Sequence, residues 1–570
     1  MSLETTARIV QKLARRGYNV DREAVTLLAG SPEPERAIER AVETAPDDAI
    51  VLSADHVRES LETSPQPVTG SQDSGTEIDP ETLPPHSEDD PSISTGAETT
   101  KSHEDGGESP VETKGSGGVS ASADSAETAA GQRAESGQTR AEEGPGPRNT
   151  QEGSATRRES KRGATRETAD RELDVSGDIQ SVGTGTYRDF VSVFRDRYEK
   201  LAAKLRGRVN HRPTAAVADM SDGSETAIIG MVADIGSTKN GHWRLELEDT
   251  SGTFPCLILK DREFAAEARE LLTDEVIAVE GTVSSGRGDA ILFVNDLYFP
   301  DVPRTNSRST ADRPVEAALI SDVHVGSEEF LADAWGRFAD WLHTAEAERV
   351  EYLLIAGDMV EGIGVYPNQD EELDIVDIYD QYEAFAEHLK DVPGDLDIVM
   401  IPGNHDAVRL AEPQPAFDDE LRDIMSAHDA TISANPSTVT LEGVSVLMYH
   451  GTSFDEVIAS LPEETASYER PQDTMACLLK KRHVAPKYGG MTRIAPEPED
   501  HLVIDEVPDI FHTGHIHKLG YGTYHDVLTI NSSCWQAQTD FQKSVNLDPD
   551  VGFVPTVRLD TFDLSIREFA

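Results

Sequence analysis

Five short polar segments of the sequence contain residue types that hold metal ions. They are Ser321-Asp322-Val323-His324, Gly357-Asp358, Gly403-Asn404-His405-Asp406, Tyr449-His450-Gly451 and Thr513-Gly514-His515-Ile516-His517. Their side chains offer carboxylate, imidazole and amide oxygen but no thiolate. This set suits divalent manganese, iron or zinc rather than a structural cysteine-bound zinc. Seven such ligands are too many for one ion, and they fit two ions that share a carboxylate.

The combination of these segments is more specific than any one of them. An Asp-x-His pair is common by chance, and a single His after an apolar strand is more often a satisfied core residue. The segment Gly403-Asn404-His405-Asp406 is a more specific signal, because its glycine permits a tight turn. His515 and His517 are two residues apart, so in an extended segment their side chains point the same way. Together the five segments favour a metal site over five unrelated structural roles.

Apolar strands precede these segments from residue 315 onwards. The predicted strands are Val315–Ser321, Tyr352–Ala356, Leu396–Ile401, Val444–Tyr449, Ile510–His512 and Val527–Ile530. They are nearly continuous apolar runs that alternate with helical patterns, which is typical of an α/β sheet buried on both faces. Open α/β sheets bind ligands at the carboxyl ends of their strands. The fold class therefore predicts that the five polar segments meet at one site.

Between residues 187 and 310 the pattern is one amphipathic helix (187–206) followed by short strands. The predicted strands are Ala227–Ile235, His242–Glu248, Thr253–Leu259, Val276–Val283 and Ala290–Tyr298, with a helical piece at Glu263–Leu272 after the third. This order predicts an OB-fold β-barrel. Such barrels bind single strands or serve as platforms for other proteins. Trp243 and Phe254 suit either a nucleic-acid surface or the barrel core.

The first 186 residues divide into a helical module and a linker. Residues 1–63 have apolar residues at helical spacing, interrupted by Pro32 and Pro46, which predicts a small bundle of three or four helices that acts as an interaction module. Residues 64–186 contain no Phe, Tyr or Trp and are dominated by Ser, Gly, Glu, Thr, Ala and Pro. Such a segment cannot bury enough apolar area to offset chain entropy, so we expect a disordered acidic linker.

The net charge is −55, from 51 Lys and Arg against 106 Asp and Glu in 570 residues. It amounts to −4 over residues 1–63, −13 over 64–186 and −38 over 187–570, and only 14 of the cations are Lys. Abundant Asp and Glu with little Lys keep a chain hydrated in molar salt, where the Debye length is about 3 Å. The composition therefore predicts a protein of an extreme halophile that needs salt to fold. Under such conditions net acidity does not exclude nucleic acid as a partner.

Cysteine content and hydropathy exclude several further classes. Three Cys in 570 residues rule out a disulfide scaffold and a Cys-rich zinc module. The sequence has no apolar run of about 18 residues, and its first residues are charged, so a membrane span and a secretory signal are not expected. The sequence predicts a soluble, multidomain, intracellular protein.

One basic cluster stands out in the acidic C-terminal half. It consists of Lys480, Lys481, Arg482, His483 and Lys487. Because selection for acidity removes Lys wherever it is free to, this exception predicts contact with a DNA backbone. The alternative is a salt-bridged loop that packs on nearby carboxylates.

The five polar segments, in this order along the chain, resemble those of the calcineurin-like metallophosphoesterases. The resemblance implies that one metal is held by Asp322, His324 and His517, the other by Asn404, His450 and His515, and that Asp358 bridges them. It also implies that His405 is a catalytic residue near the leaving group and that Asp406 orients it. The predicted cofactors are two divalent ions, Mn²⁺ first, with Mg²⁺, Fe²⁺ and Zn²⁺ as alternatives.

The whole domain order resembles that of the small subunits of archaeal family D DNA polymerases. Helical module 1–63, linker 64–186, helix and OB-fold 187–310 and phosphoesterase domain 311–570 follow that order, and the segments 478–490, 508–517 and 533–543 strengthen it. The resemblance implies a 3′→5′ exonuclease that acts on single-stranded DNA or primer 3′ ends. It also implies a large subunit that synthesises DNA, a sliding clamp as a further candidate partner, and a cytoplasmic, nucleoid-associated location.

Two other functions fit part of the sequence. A stand-alone repair nuclease has the same metal site, but those enzymes begin with the phosphoesterase domain and lack the barrel upstream. A structural polymerase subunit with a vestigial site fits the domain order, but it does not explain why all seven ligands and His405 are present.

Overall fold

The computed structural model describes residues 171–177, 179, 183–285, 290–366, 369–426, 429–544 and 546–570, with isolated positions between residues 19 and 58. Most of the predicted helical module 1–63, and residues 64–170 of the predicted linker, lie outside these ranges. Within the module, the described helical positions include the buried Ala24, Leu28, Ile38 and Ala41. Among the described residues, no helix is both long and apolar enough to cross a membrane.

The strands are numbered in chain order. They are β1 Asn19–Val20, β2 Val51–Leu52, β3 Leu173–Ser176, β4 Glu225–Ser237, β5 Trp243–Asp249, β6 Gly252–Ile258, β7 Val276–Ser284, β8 Ile291–Tyr298, β9 Glu316–Ile320, β10 Val350–Ala356, β11 Asp397–Ile401, β12 Thr431–Ile432, β13 Ser437–Leu441, β14 Val444–Met448, β15 Ile510–Thr513, β16 Gly520–Tyr524, β17 Val527–Asn531, β18 Phe553–Arg558 and β19 Leu564–Glu568. The α-helices are α1 Tyr187–Leu205, α2 Thr214–Ala218, α3 Ala332–Leu342, α4 Ile378–Leu389, α5 Asp419–Ile424, α6 Phe454–Ser460, α7 Pro471–Lys481 and α8 Asp540–Ser544.

Strands β4 to β8 form a closed barrel in the order β4-β5-β6-β8-β7, and β7 returns to pair with β4. A 3-10 helix, Glu263–Glu270, lies between β6 and β7, at the position predicted for a helical piece. Phe254 is buried and Trp243 packs against the same core, so both aromatic residues serve packing. The predicted five-stranded barrel is confirmed.

Helix α1 covers the outside of this barrel. It begins with a capping box, in which the Thr186 N–H donates to Asp189 Oδ2 at 2.8 Å. Its apolar face, with Leu201 and Leu205, packs on Ile229 and other residues of β4 and β7. The predicted amphipathic helix therefore exists because the barrel offers a surface for its apolar side.

The remaining strands form two six-stranded sheets. The first has the order β12-β11-β10-β9-β18-β19, and the second has the order β16-β17-β15-β14-β13-β3. They pack face to face through side chains such as Leu319 and Leu354 of the first sheet and Val446 and Ile530 of the second. Helices α3 and α4 cover the outer face of the first sheet, and α6 and α7 cover that of the second. The strand pattern predicts one sheet, whereas the structure has a four-layer sandwich. An apolar run shows only that both faces of a strand are buried, and it does not distinguish a helix from a second sheet as the cover.

Parallel register brings the ends of the central strands to one level. In the first sheet Ile355 pairs with Ile320, and Ala356 pairs with Ile401. In the second sheet Met448 pairs with His512. Because each polar segment follows one of these strands by two or three residues, the segments emerge side by side at the same end of the sandwich.

Residues 173–176 fall within the predicted linker, but they form β3 at the edge of the second sheet. β3 pairs antiparallel with β13, from Leu173 opposite Leu441 to Ser176 opposite Thr438. Arg171 anchors the strand through Nη1, 3.1 Å from Asp397 Oδ2. The predicted linker therefore ends before residue 171. Aromatic and apolar content did not reveal this, because an edge strand needs little apolar surface of its own.

Candidate metal centre

The loops that carry the polar segments have unusual backbone conformations. Five of their non-glycine residues have positive φ: Asp322 (53°), His324 (56°), Asp358 (54°), His515 (76°) and His517 (53°). Such conformations cost of order 1–3 kcal/mol each and persist where the surroundings impose them. Here cross-loop hydrogen bonds do so, including Asp322 N–H to the Gly357 carbonyl at 2.9 Å and His324 N–H to the Asp358 carbonyl at 3.1 Å. All five are predicted ligands, so five of the seven predicted ligand residues have this backbone conformation.

The first predicted ligand group is brought together as expected. Asp322 Oδ1 lies 3.5 Å from His517 Nε2 and 3.9 Å from His324 Nε2. The two imidazole nitrogens are 3.0 Å apart. All three side chains are buried, and their potential ligand atoms lie within 4.8 Å of one another.

The second group assembles beside it. His450 Nε2 lies 3.0 Å from Asn404 Oδ1 and 3.2 Å from Asp358 Oδ2. Asp358, His450 and His515 form another set of potential ligand atoms within 4.8 Å of one another. Each group draws on both sheets, because Asp322, His324 and Asn404 follow strands of the first sheet, and His450, His515 and His517 follow strands of the second.

Asp358 stands between the two groups. Its Oδ2 is 3.2 Å from His450 Nε2 and 3.8 Å from His324 Nε2, so the same oxygen faces one imidazole of each group. Its Oδ1 accepts the backbone N–H of His405 at 2.8 Å, which fixes the carboxylate. This is the arrangement that a bridging ligand requires.

The chemistry of the donor set fits two divalent cations. Burial alone would raise the pKa of Asp358, but the imidazoles of His450, His405 and His324 outweigh burial and hold it well below its ordinary value. For His450, burial opposes protonation, but the carboxylates of Asp358 and Asp322 raise its pKa to about 9. In this buried site the carboxylates are therefore stabilised by positive charge, which bound cations can supply in place of protons.

Groups behind the ligands orient the imidazoles. His450 Nδ1 donates to the Ala356 carbonyl at 2.8 Å, which leaves Nε2 for a ligand. His324 Nδ1 lies 2.8 Å from Glu361 Oε2. Glu361 is buried, and although burial raises its pKa, His324 and His405 outweigh this and lower it to about 2.

Sequence reasoning missed two orienting carboxylates. Glu361 is one, and Asp455, whose Oδ2 lies 3.1 Å from His515 Nε2, is the other. Glu361 follows Asp358 by only three residues, so its place in the same loop was the available signal. Asp455 is in α6 and had no such signal.

His405 lies at the edge of the site, with its side chain 16% exposed. Its ring is 4.7 Å from that of His324, centroid to centroid. Its Nδ1 donates to the Glu361 carbonyl at 2.7 Å, so Nε2 is the nitrogen left for chemistry.

The role predicted for Asp406 needs correction. The resemblance implied that Asp406 orients the His405 imidazole, but Glu361 holds that ring. Asp406 instead accepts the N–H groups of Asp358 and Gly403, both at 2.8 Å, and the Tyr382 hydroxyl at 2.9 Å. Burial and the neighbouring Asp358 carboxylate raise its pKa to about 7. Adjacency in sequence was misleading, because the tight turn points the two side chains to different partners.

A cavity of about 790 Å³ opens onto both ligand groups. His324, Asp358, Asn404, His405 and His515 line its floor, and Tyr366, Tyr468 and Phe541 are among the aromatic residues of its walls. The cavity therefore gives a substrate access to the centre from one side.

The basic cluster does not line this cavity, and the burial and ion pairing of its members disfavour the DNA-contact prediction. Lys481 is 1% exposed and its Nζ lies 2.6 Å from Glu275 Oε2 in the barrel. Lys480 pairs with Glu270 at 2.9 Å. The cluster therefore joins α7 to the barrel through internal ion pairs.

The other members of the cluster are also engaged internally. Arg482 is buried and donates to the carbonyls of Ile504 and Asp505. Lys487 contacts the Glu456 carboxylate and donates to Ser460 Oγ at 2.8 Å. The alternative interpretation of this cluster, a salt-bridged loop, is confirmed.

The chain is similar to known polymerase subunits. Residues 317–519 match the family model that describes the B subunits of DNA polymerases alpha and epsilon. A DNA polymerase II small subunit of Halobacterium salinarum is 56% identical, and the match covers 100% of both chains. DNA polymerase II small subunits of Archaeoglobus fulgidus and Pyrococcus furiosus are 44% and 42% identical, over 68% and 65% of this chain and 78% and 62% of those proteins. The chain therefore belongs to the DNA polymerase II small subunit family, the small subunits of archaeal family D DNA polymerases.

Proposed function

We propose that the chain is a two-metal phosphodiesterase that removes nucleotides from DNA 3′ ends while a large subunit synthesises DNA. The observation that carries the proposal is the position of Asp358 Oδ2 between His450 and His324. The β-sandwich and the order of its ligands support a metallophosphoesterase domain. The polymerase partner is proposed from the names of the relatives.

Asp322, His324 and His517 would hold one divalent ion and Asn404, His450 and His515 the other, with Asp358 shared. Two such ions generate a nucleophile from water at neutral pH and neutralise charge on the phosphate oxygens. We take Mn²⁺ as the first candidate, and the imidazole, carboxylate and amide ligands without thiolate also suit Fe²⁺ and Zn²⁺.

The chain's own residues position the substrate and the departing oxygen. Water adds to phosphorus, the P–O3′ bond breaks, and a 5′-mononucleotide leaves a strand that ends in a 3′-hydroxyl. His405 lines the cavity, and the Glu361 carbonyl holds its Nδ1–H, which leaves Nε2 for proton transfer. The protonated imidazole would give its Nε2 proton to the leaving O3′, which is worth about 10²–10⁴-fold in rate.

A structural role without catalysis remains the competing hypothesis. It is not favoured by the positive φ values at five of the seven proposed ligands in three adjacent loops, since backbone strain of this kind clusters at functional sites. The repair-nuclease alternative is disfavoured because the relatives matched over the full chain are polymerase subunits.

The experiment compares Asp358→Ala and His405→Ala in the full chain co-purified with its large subunit in high salt. Metal content is measured by mass spectrometry, and digestion of 5′-labelled single strands is followed in single turnover without nucleoside triphosphates. Asp358→Ala should lose metal and all hydrolysis. His405→Ala should keep its metal and lose about 10²–10⁴-fold in rate.

His525→Ala is the matched control, because His525 lies outside the residues that line the cavity. Normal digestion by both site variants would show that the site is vestigial. Loss of metal in His405→Ala would show that His405 is a ligand rather than a proton donor.

A further inference from the structure

Two aromatic rings form an open platform in the wall of the cavity. The rings of Tyr366 and Phe541 are stacked, with centroids 4.9 Å apart and planes 22° apart. Tyr366 covers one side of Phe541, and Phe541 nevertheless remains 44% exposed. An aromatic ring supported on one face and open on the other is suited to bind a flat apolar group.

The platform is attached to the metal centre on both sides. The Tyr366 hydroxyl donates to Glu361 Oε1 at 3.1 Å, and Glu361 also contacts His324. Gln542, the neighbour of Phe541 in α8, has its Nε2 2.9 Å from His517 Nδ1. The two rings are therefore held at a fixed distance from the proposed ligands.

His405 lies next to the platform. Its ring centroid is 6.4 Å from that of Tyr366. The proposed function places His405 at the leaving oxygen, so the platform lies on the leaving side of the scissile phosphate.

The charges of the side chains around the cavity favour substrate binding that does not depend on contacts between basic side chains and phosphates. Lys518 is the one Lys or Arg among the described lining residues, and its Nζ is 3.3 Å from Glu469 Oε2. Asp455, Glu463 and Asp548 also line the cavity. Phosphate contacts weaken steeply with salt, whereas stacking of a base on an aromatic ring is worth about 1–3 kcal/mol and tolerates any sequence.

We propose that Phe541, supported by Tyr366, stacks on the base of the nucleotide that carries the leaving 3′ oxygen. This inference rests on the proposed function. In the removal of a 3′-terminal nucleotide, that base belongs to the penultimate nucleotide. Because a base paired in a duplex cannot reach the platform, hydrolysis should be fastest on a 3′ end with two unpaired nucleotides.

The test uses the full chain with its large subunit in high salt, with Mn²⁺ and without nucleoside triphosphates. Single strands carry a normal nucleotide or an abasic residue at the terminal or the penultimate position. Wild type should cleave the strand with the penultimate abasic residue about 5–150-fold more slowly, which corresponds to the 1–3 kcal/mol of one stacked base. The terminal abasic residue should have little effect.

Variants of Phe541 separate stacking from packing. Phe541→Ala and Phe541→Leu should be slow on the normal strand and show no further loss with the penultimate abasic residue, and Phe541→Trp should behave like wild type. Tyr521→Ala is the control, since Tyr521 is 53% exposed and does not line the cavity. As a binding readout, 2-aminopurine at the penultimate position should be quenched on rapid mixing with wild type, before cleavage, and not with Phe541→Ala.

The outcomes distinguish this inference from the proposed function. Equal cleavage of normal and penultimate-abasic strands by wild type would overturn the platform and leave the nuclease proposal intact. An effect confined to the terminal position would overturn the assignment to the leaving side. If no strand is cleaved by wild type, the proposed function fails, and absence of the 2-aminopurine quench would then overturn the platform as well.

Discussion

Oε2 of Glu361 lies 2.8 Å from Nδ1 of His324, and both side chains are only 1% exposed. The backbone carbonyl of Glu361 also accepts the Nδ1–H of His405 at 2.7 Å. The Glu361 carboxylate is itself held by the side-chain amides of Gln369 at 2.8 Å and Gln536 at 2.6 Å. One residue thus orients a proposed metal ligand and the proposed proton donor.

Replacing Glu361 by Gln should weaken metal binding without removing a ligand. The amide keeps the shape of the side chain but removes the charge behind His324, and such changes typically cost 10–100-fold in metal affinity. The measurement is metal affinity by competition with a chelator, alongside the single-turnover rate. Glu372→Gln is the control, because Glu372 contacts the same Tyr366 hydroxyl but not His324. Equal metal affinity in the two variants would contradict the role assigned to Glu361.

The buried pair Lys481–Glu275 should behave as a structural unit. Removing one partner leaves a buried charge and costs about 3–5 kcal/mol, whereas an apolar pair of similar size is often neutral or better. Lys481→Met and Glu275→Leu should each lower the unfolding midpoint, and the double variant should recover most of the loss.

The DNA affinity of the folded Lys480→Gln variant should stay within about twofold of wild type, because Lys480 is paired with Glu270. A large loss of affinity there would restore the DNA-contact hypothesis.

The convergence of the proposed ligands was predictable because each of them follows an apolar strand, and parallel strands end at a common edge. Glu361 shares a loop with Asp358, but its partner His324 lies in another loop, so the contact depends on the fold. The DNA-contact prediction for the basic cluster was not supported, for a related reason. Charge density in the sequence does not show whether a cation is paired, and Glu275, the partner of Lys481, is 206 positions away. The division into two sheets was missed because an apolar strand does not show whether a helix or a second sheet covers it, and β13 and β16 of the second sheet, which carry polar residues between their apolar ones, were not predicted as strands.

Two deletions should locate the start of the folded region. Removing residues 64–170 should leave the unfolding midpoint and the nuclease rate unchanged, because no described contact of the site lies there. Removing residues 64–177 also deletes β3 and Arg171, which exposes the β13 edge and should cost on the order of 2 kcal/mol through lost hydrogen bonds and packing. The comparison is made by thermal unfolding at constant high salt. Equal midpoints would show that β3 does not stabilise the sheet.

His483 should make the protein less stable as the pH falls. Its Nδ1 accepts the Ala485 N–H at 2.9 Å and its Nε2 lies 3.0 Å from Asp500 Oδ2, so the neutral ring carries its hydrogen on Nε2. Burial and the nearby Arg197 guanidinium lower the pKa of His483 to about 4. Its ordinary value is near 6.5, so between pH 6.5 and 4 the unfolded chain binds a proton that the folded chain does not. This residue therefore destabilises the fold by up to about 1.4 kcal/mol per pH unit across that range, with no contribution above it.

The measurement is the denaturant midpoint at pH 7 and pH 5 in constant salt for wild type and His483→Gln. Gln can accept from Ala485 and donate to Asp500 without titrating, so the variant should lose less stability than wild type on acidification. Carboxylates elsewhere in the chain titrate equally in both proteins, and the comparison cancels their contribution. The same pH dependence in both proteins would mean that His483 is protonated in the folded state, and the Ala485 N–H would then need a different acceptor.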